Sequence, residues 1–232
     1  MFEYKQFYRR RLPHIHSPNG TLFVTFRLAN SIPRSLIARY KNEKQIIEHE
    51  SSKRSPDGAD LRSIKLREFH RNWFRIFEDI LDKETTGPLW LKNDDVAATI
   101  SESLLYRNGK DYDLKVFCIM STHVHAVFKP YLSPESISEV PGPGRGRFES
   151  SQPPLGAIMH SLKGYTARKA NKLLGRSGQF WEVESYDHEV RNSEDFARIV
   201  RYVLQNPVKA NLVDDWRQFK WTWLAESLQE YY

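Results

Sequence analysis

Cysteine is nearly absent from this chain of 232 residues, with Cys118 the single example. One thiol closes no intrachain disulfide and builds no Cys-rich zinc module, so a reducing compartment fits best. Long apolar runs are absent too. No segment is long enough to span a membrane, and the charged opening, Met1-Phe2-Glu3-Tyr4-Lys5-Gln6-Phe7-Tyr8-Arg9-Arg10-Arg11, lacks the apolar core of a signal peptide. A soluble, cytoplasmic protein with no membrane partner is expected. Acids are missing from one segment: 155–181 carries Lys163, Arg168, Lys169, Lys172 and Arg176 but no Asp or Glu, although the chain holds 29 acids. Phosphate contact is the economical explanation, and a solvated basic face the plainer one.

The composition that remains is that of a globular protein. Hydrophobic residues make up 40%, which at this length predicts one main domain with a sizeable core. Lys and Arg exceed Asp and Glu by 35 to 29, leaving +6 and a pI near 9.3, a mild bias toward polyanions. Aromatic residues at 13% fill the core first, and any left on a basic surface could stack bases.

Along the chain, Thr21-Leu22-Phe23-Val24-Thr25-Phe26-Arg27-Leu28 reads as a core strand. Residues 35–49 have helical composition, 51–60 form a polar break with Pro56-Asp57-Gly58, and 61–81 read as an amphipathic helix bearing Trp73, Phe74 and Phe77. Asp94 and Asp95 open a helix that Asn108-Gly109 stops. Strands follow over 112–120 and 123–128, either as a tight hairpin or, the reading favoured, as one long strand bulged near Ser121. The Pro-Gly-Pro-Gly-Arg-Gly-Arg stretch within 130–154 predicts a basic loop, and a helix extends from Leu155 to about Leu174. A last helix runs from about Ser193 to Gln205, with Asn206-Pro207 as its terminator.

His123-Val124-His125 is the most informative motif. Alternation along a strand puts both imidazoles on one face and Val124 on the other. Two neutral rings at that spacing can converge on one divalent cation, and the pattern serves equally well for ordinary edge-strand histidines satisfied by solvent or hydrogen bonds. Two histidines leave an ion short of ligands, so a third donor is sought in or just beyond the 155–174 helix, with Asn171 first, then Gln179 and Glu184. If that helix packs across the histidine face, a metal there would polarise a phosphodiester oxygen while the hydroxyl of Tyr165 attacked phosphorus. Position alone leaves Tyr165 equally readable as a core residue with a tethered hydroxyl.

Several blocks together resemble the REP-associated tyrosine transposases, within the HUH class of single-strand DNA transposases and nucleases. They are Arg11-Leu12-Pro13-His14, the first core strand, His123-Val124-His125, Lys163-Gly164-Tyr165-Thr166-Ala167-Arg168-Lys169-Ala170-Asn171, Gly175-Arg176-Ser177-Gly178-Gln179-Phe180-Trp181, and Arg201-Tyr202-Val203-Leu204-Gln205-Asn206-Pro207-Val208-Lys209-Ala210. The resemblance implies an α+β, ferredoxin-like antiparallel sheet with helices on one face. It places a core at about 15–180, a helical insertion at about 35–85 and a helical C-terminal extension at about 181–232, all in one domain. It implies cleavage and rejoining of single-stranded hairpin DNA through a 5′-phosphotyrosine, with Mg²⁺ or Mn²⁺ on His123 and His125, a helical tyrosine as nucleophile, and often a homodimer; the residues' own reading adds Asn171 as third ligand, Tyr165 as nucleophile, and Lys163, Arg168, Lys169, Lys172 and Arg176 on DNA. The sequence departs from the family at Ser121-Thr122, where Pro-Asn is usual, and at the tyrosine, which counting back from Asn171 places nearer 166 than 165. Tyr186 and Tyr202 are further candidates for the nucleophile. A non-catalytic DNA-binding protein that keeps the transposase fold is the alternative, and an RNA-binding ferredoxin-like domain a third.

Overall fold

The computed structural model describes residues 7–9, 13–15, 20–50, 58–84, 86–131 and 154–232. The Pro-Gly-Pro-Gly-Arg-Gly-Arg stretch lies outside these described residues. Strands β1 (Phe7–Arg9) and β2 (Pro13–Ile15) pair as a small ribbon. The main sheet comprises β3 (Leu22–Arg27), β4 (Tyr112–Ile119), β5 (His123–Pro130), β6 (Tyr186–Glu189) and β7 (Thr222–Leu224), in the spatial order β6-β3-β5-β4-β7 with every pairing antiparallel. Between β3 and β4 come α1 (Arg34–Glu50), α2 (Gly58–Asp82), a 3₁₀ turn at Trp90–Lys92 and α3 (Asp94–Arg107). Helix α4 (Pro154–Leu173) follows β5, and α5 (Ser193–Lys209) follows β6. Strand–helix–strand–strand–helix–strand in that spatial order is the split βαβ arrangement of ferredoxin-like sheets, extended by β7 at the β4 edge. The α+β class and antiparallel sheet are as expected. Residues after 181 do more than extend the core, since they supply both edge strands and α5.

Helices cover both sheet faces rather than one. Leu22, Val24, Phe26, Leu114, Phe117, Val124, Ala126 and Phe128 pack with Ile100 and Leu104 of α3 and with Leu155, Ile158 and Leu162 of α4. On the opposite face Phe23, Val116, Cys118 and Val127 pack with Ile199, Val200, Val203 and Leu204 of α5. Strand β5 sits between these layers, and turning it over would exchange buried Val124 and Phe128 for the two histidines. At about 2 kcal/mol per buried apolar side chain, its register is firmly specified.

Two local expectations are corrected. Residues 112–130 form a tight hairpin rather than one bulged strand, because Ile119 pairs with Val124 and the Met120 amide donates to the His123 carbonyl at 2.8 Å around Ser121-Thr122. The bulge lies instead between Leu114 and Val116, where one extra residue shifts the inward-facing set from Leu114 to Phe117 and turns Cys118 toward the α5 face. The second correction concerns α5, which continues through Asn206-Pro207 to Lys209. A proline so near the end removes a single intrahelical bond, and Pro207 is itself buried.

Candidate metal centre

His123 and His125 alternate with Val124 onto the α5 face, and both are fully buried. Their outer nitrogens are tied by threonines: Thr25 Oγ1 on β3 is 2.8 Å from His125 Nδ1, and Thr122 Oγ1 in the hairpin turn is 2.9 Å from His123 Nδ1. The Thr122 hydroxyl donates to the Leu81 carbonyl at 3.3 Å, so toward His123 it accepts, and His123 Nδ1 carries the proton. That tautomer leaves the Nε2 lone pair free, pointing at His125 Nε2 3.0 Å away. Phe23 stacks on the His125 ring at 5.5 Å.

Helices α2 and α5 complete the cluster. From α2, Glu78 Oε2 reaches within 3.0 Å of His125 Nε2, and Asp82 Oδ1, one turn later, lies 3.8 Å from His123 Nε2. From α5, the Tyr202 hydroxyl donates to Glu78 Oε2 in a short contact, its ring 5.4 Å from that of His125. Asn206, one turn after Tyr202, puts Nδ2 3.2 Å from His125 Nε2, and its buried Oδ1 has no hydrogen-bond partner among the described residues. Continuation of α5 through Pro207 keeps Tyr202 and Asn206 on one helical face.

Burial dominates the electrostatics. Together with the neighbouring His125, it pushes the His123 imidazole down to about 3, so the ring is neutral and can act as a ligand. Burial opposes ionisation of Glu78, but the charge and hydrogen bond of His125, with His123 and Tyr202, outweigh it and hold the carboxyl below its ordinary value. Burial and then the nearby Glu78 raise Asp82 to about 6. The Tyr202 phenol is raised well above its ordinary value by burial and by Glu78.

The donor set fits a divalent cation. Glu78, His123 and His125 each offer one ligand atom, and these atoms lie within 4.8 Å of one another. Two ligands about 2.1 Å from a common ion and at right angles lie about 3 Å apart, which matches the facing Nε2 atoms. The His123 Nε2 lone pair faces His125 Nε2 beside the Glu78 carboxylate, an arrangement that a proton or a cation between them stabilises. Asp82 Oδ1, buried and without a hydrogen-bond partner among the described residues, lies on the His123 side of this space.

The other expected site residues lie elsewhere. Helix α4 packs on the far side of the sheet, so Tyr165 and Asn171 are not brought to the histidines. Asn171 donates from Nδ2 to the Gly178 carbonyl at 2.9 Å and accepts from Arg176 at Oδ1. Tyr165 is half-buried with Lys169 Nζ 6.0 Å from its ring, while Thr166 is fully buried, donating to the Leu162 carbonyl and accepting from the Trp181 indole. Gln179 donates to the Trp181 carbonyl, and Glu184 lines a cavity beside α4. Lys163 spans to the Glu182 and Val183 carbonyls, and Arg176 lies 3.7 Å over the Trp90 ring. Arg168, Lys169 and Lys172 are exposed. Tyr186, on β6, stacks on Phe74 at 4.0 Å. Glu78, Asp82 and Asn206 escaped the sequence reading; the only available signal was two pairs at helical spacing, Glu78 with Asp82 and Tyr202 with Asn206.

No protein-family model matches the chain, and no curated protein matches it. Among solved structures it is similar to a REP-associated tyrosine transposase bound to a REP hairpin, at 16% identity and a TM-score of 0.40, over 93% of this chain and 80% of that one. Among the described residues no helix is long and apolar enough to cross a membrane.

Proposed function

We propose that this protein is a metal-dependent strand transferase that cleaves and rejoins single-stranded, hairpin-forming DNA through a 5′-phosphotyrosine, with Tyr202 as nucleophile. The observation that carries this reading is the convergence of the Tyr202 hydroxyl, Glu78, His123 and His125 on one buried point. The HUH-type sequence blocks support it. Tyr202 takes the role first expected of Tyr165, because α5 and not α4 covers the histidine face.

His123, His125 and Glu78 would hold Mg²⁺ or Mn²⁺, which supplies Lewis-acid polarisation of a phosphodiester oxygen. Thr25 and Thr122 orient the two rings. The Tyr202 hydroxyl already points its proton at Glu78 Oε2. In the transfer a bond forms between Tyr202 Oη and phosphorus, the phosphorus–O3′ bond breaks, the phenolic proton passes to Glu78, and the departing 3′ oxygen takes up a proton. Rejoining is the reverse, with a 3′ hydroxyl attacking the phosphotyrosine. Arg168, Lys169 and Lys172 are exposed cations suited to the DNA backbone beyond the site.

Complete burial of both histidines favours a second reading, a DNA-binding protein that keeps this architecture without cleaving. One experiment separates the two. The protein is incubated with a single-stranded hairpin oligonucleotide and Mn²⁺ and run on a denaturing gel. A covalent adduct is expected for wild type and Tyr165→Phe, and none for Tyr202→Phe or His123→Ala. Binding without adduct under any divalent cation would leave the non-catalytic reading, an adduct surviving Tyr202→Phe would remove Tyr202 from its role, and preference for RNA over the equivalent DNA would displace both.

A further inference from the structure

We propose that Asp82 is a fourth protein ligand, so that α2 delivers a carboxylate pair, Glu78 and Asp82, to the histidine pair on β5. The inference rests on the metal-site part of the reading above and asks nothing of DNA. Glu78 and Asp82 stand four residues apart on one helix, which stacks their side chains on the same face. Each meets a different histidine, Glu78 at 3.0 Å from His125 Nε2 and Asp82 at 3.8 Å from His123 Nε2. A distance of 3.8 Å is too long for a hydrogen bond, and Asp82 Oδ1 is buried with no hydrogen-bond partner among the described residues.

A buried carboxylate oxygen without a donor, beside a second carboxylate, is stabilised in its charged form by a bound cation. A neutral imidazole offers a lone pair and no charge. Lys209 on α5, whose Nζ lies 4.7 Å from the Tyr202 ring, is a cation that acts on Asp82 from a distance without a direct contact. Two imidazoles and two carboxylates form a donor set of net charge −2, which matches a divalent ion of mixed nitrogen and oxygen preference such as Mn²⁺. With its side chain 26% exposed against 0% for both histidines, Asp82 is the edge of the cluster that solvent reaches. An entering ion would meet it first.

The test is Mn²⁺ titration of the full chain, followed by calorimetry and by the electron paramagnetic resonance signal of free Mn²⁺. Asp82→Asn is expected to weaken Mn²⁺ binding at least tenfold and to leave the metal-free melting temperature unchanged or raised, since an unpaired buried charge is removed. Asp79→Asn, which breaks only the exposed pair with Lys83, should bind Mn²⁺ as wild type does. Asp82→Glu should recover part of the loss by restoring a carboxylate. Unchanged Mn²⁺ affinity in Asp82→Asn overturns the inference and leaves the three-residue site standing. A lowered metal-free melting temperature with unchanged affinity overturns it by making Asp82 a structural anion. Wild type that binds no Mn²⁺ overturns the metal reading itself and this inference with it.

Discussion

At the scale of single residues, the candidate centre depends on groups outside the proposed ligand set. Thr25 is nearly buried on β3 and holds His125 by Nδ1, as Thr122 holds His123 from the hairpin turn. A ring restrained at Nδ1 keeps Nε2 aimed at the metal position, and losing such a partner typically costs 10–100-fold in metal affinity. Thr25→Val keeps the volume and β-branching of the side chain while deleting the hydroxyl. It should therefore retain the fold and weaken Mn²⁺ binding by about tenfold or more. Wild-type affinity in that variant would mean that the Thr25–His125 contact does no orienting work.

At the scale of elements, α5 decides how the site is assembled. Asn192 begins it by accepting the Asp195 amide at 2.8 Å, and Glu194 and Asp195 place negative charge on its first turn. Its buried stripe, Ile199, Val200, Val203 and Leu204, docks on the histidine face, and Tyr202 and Asn206 follow from that docking. Asn192→Ala should cost about 1 kcal/mol of unfolding free energy, read by urea denaturation with the slope unchanged. A loss near zero would show that tertiary packing alone sets the start of α5. The bulge between Leu114 and Val116 has a comparable role on β4, since it turns Val116 and Cys118 to pack beneath α5. Cys118, buried and raised to about 12 by that burial, is kept as an unreactive thiol next to the centre.

At the scale of the whole molecule, the sheet separates two surfaces. Helix α4 carries exposed Arg168, Lys169 and Lys172 on one side, and the candidate metal centre lies between the sheet, α2 and α5 on the other. DNA held by α4 and a phosphate at the histidines would therefore make separable contributions. Replacing all three exposed cations with Gln should lower the dependence of log K on log salt for a single-stranded oligonucleotide by up to about 2, at roughly 0.7 per phosphate contact. Mn²⁺ affinity should not change. An unaltered salt slope would take α4 out of the DNA interface.

The sequence by itself determined whatever depends on local spacing. Alternation put His123 and His125 on one face, composition and capping set the helices within a few residues, and the single cysteine removed disulfides from consideration. Asn206-Pro207 shows where local rules stop: read alone it ends a helix, yet the buried contacts of α5 carry the helix past it. The partners of the histidines depended on which helix crosses which face of the sheet, and no local pattern encodes that. Tyr165 and Tyr202 both lie on amphipathic helices within blocks of the same resemblance, and only the packing of α4 on Val124, Ala126 and Phe128 and of α5 on Phe23 and Val127 distinguishes them. Glu78 and Asp82, more than 40 residues before the histidines, look like ordinary solvated acids until α2 folds across β5, burying Glu78 and half-burying Asp82 beside two imidazoles. Only the tertiary structure decided that, because desolvation and ligand geometry arise from contacts between elements far apart in the chain.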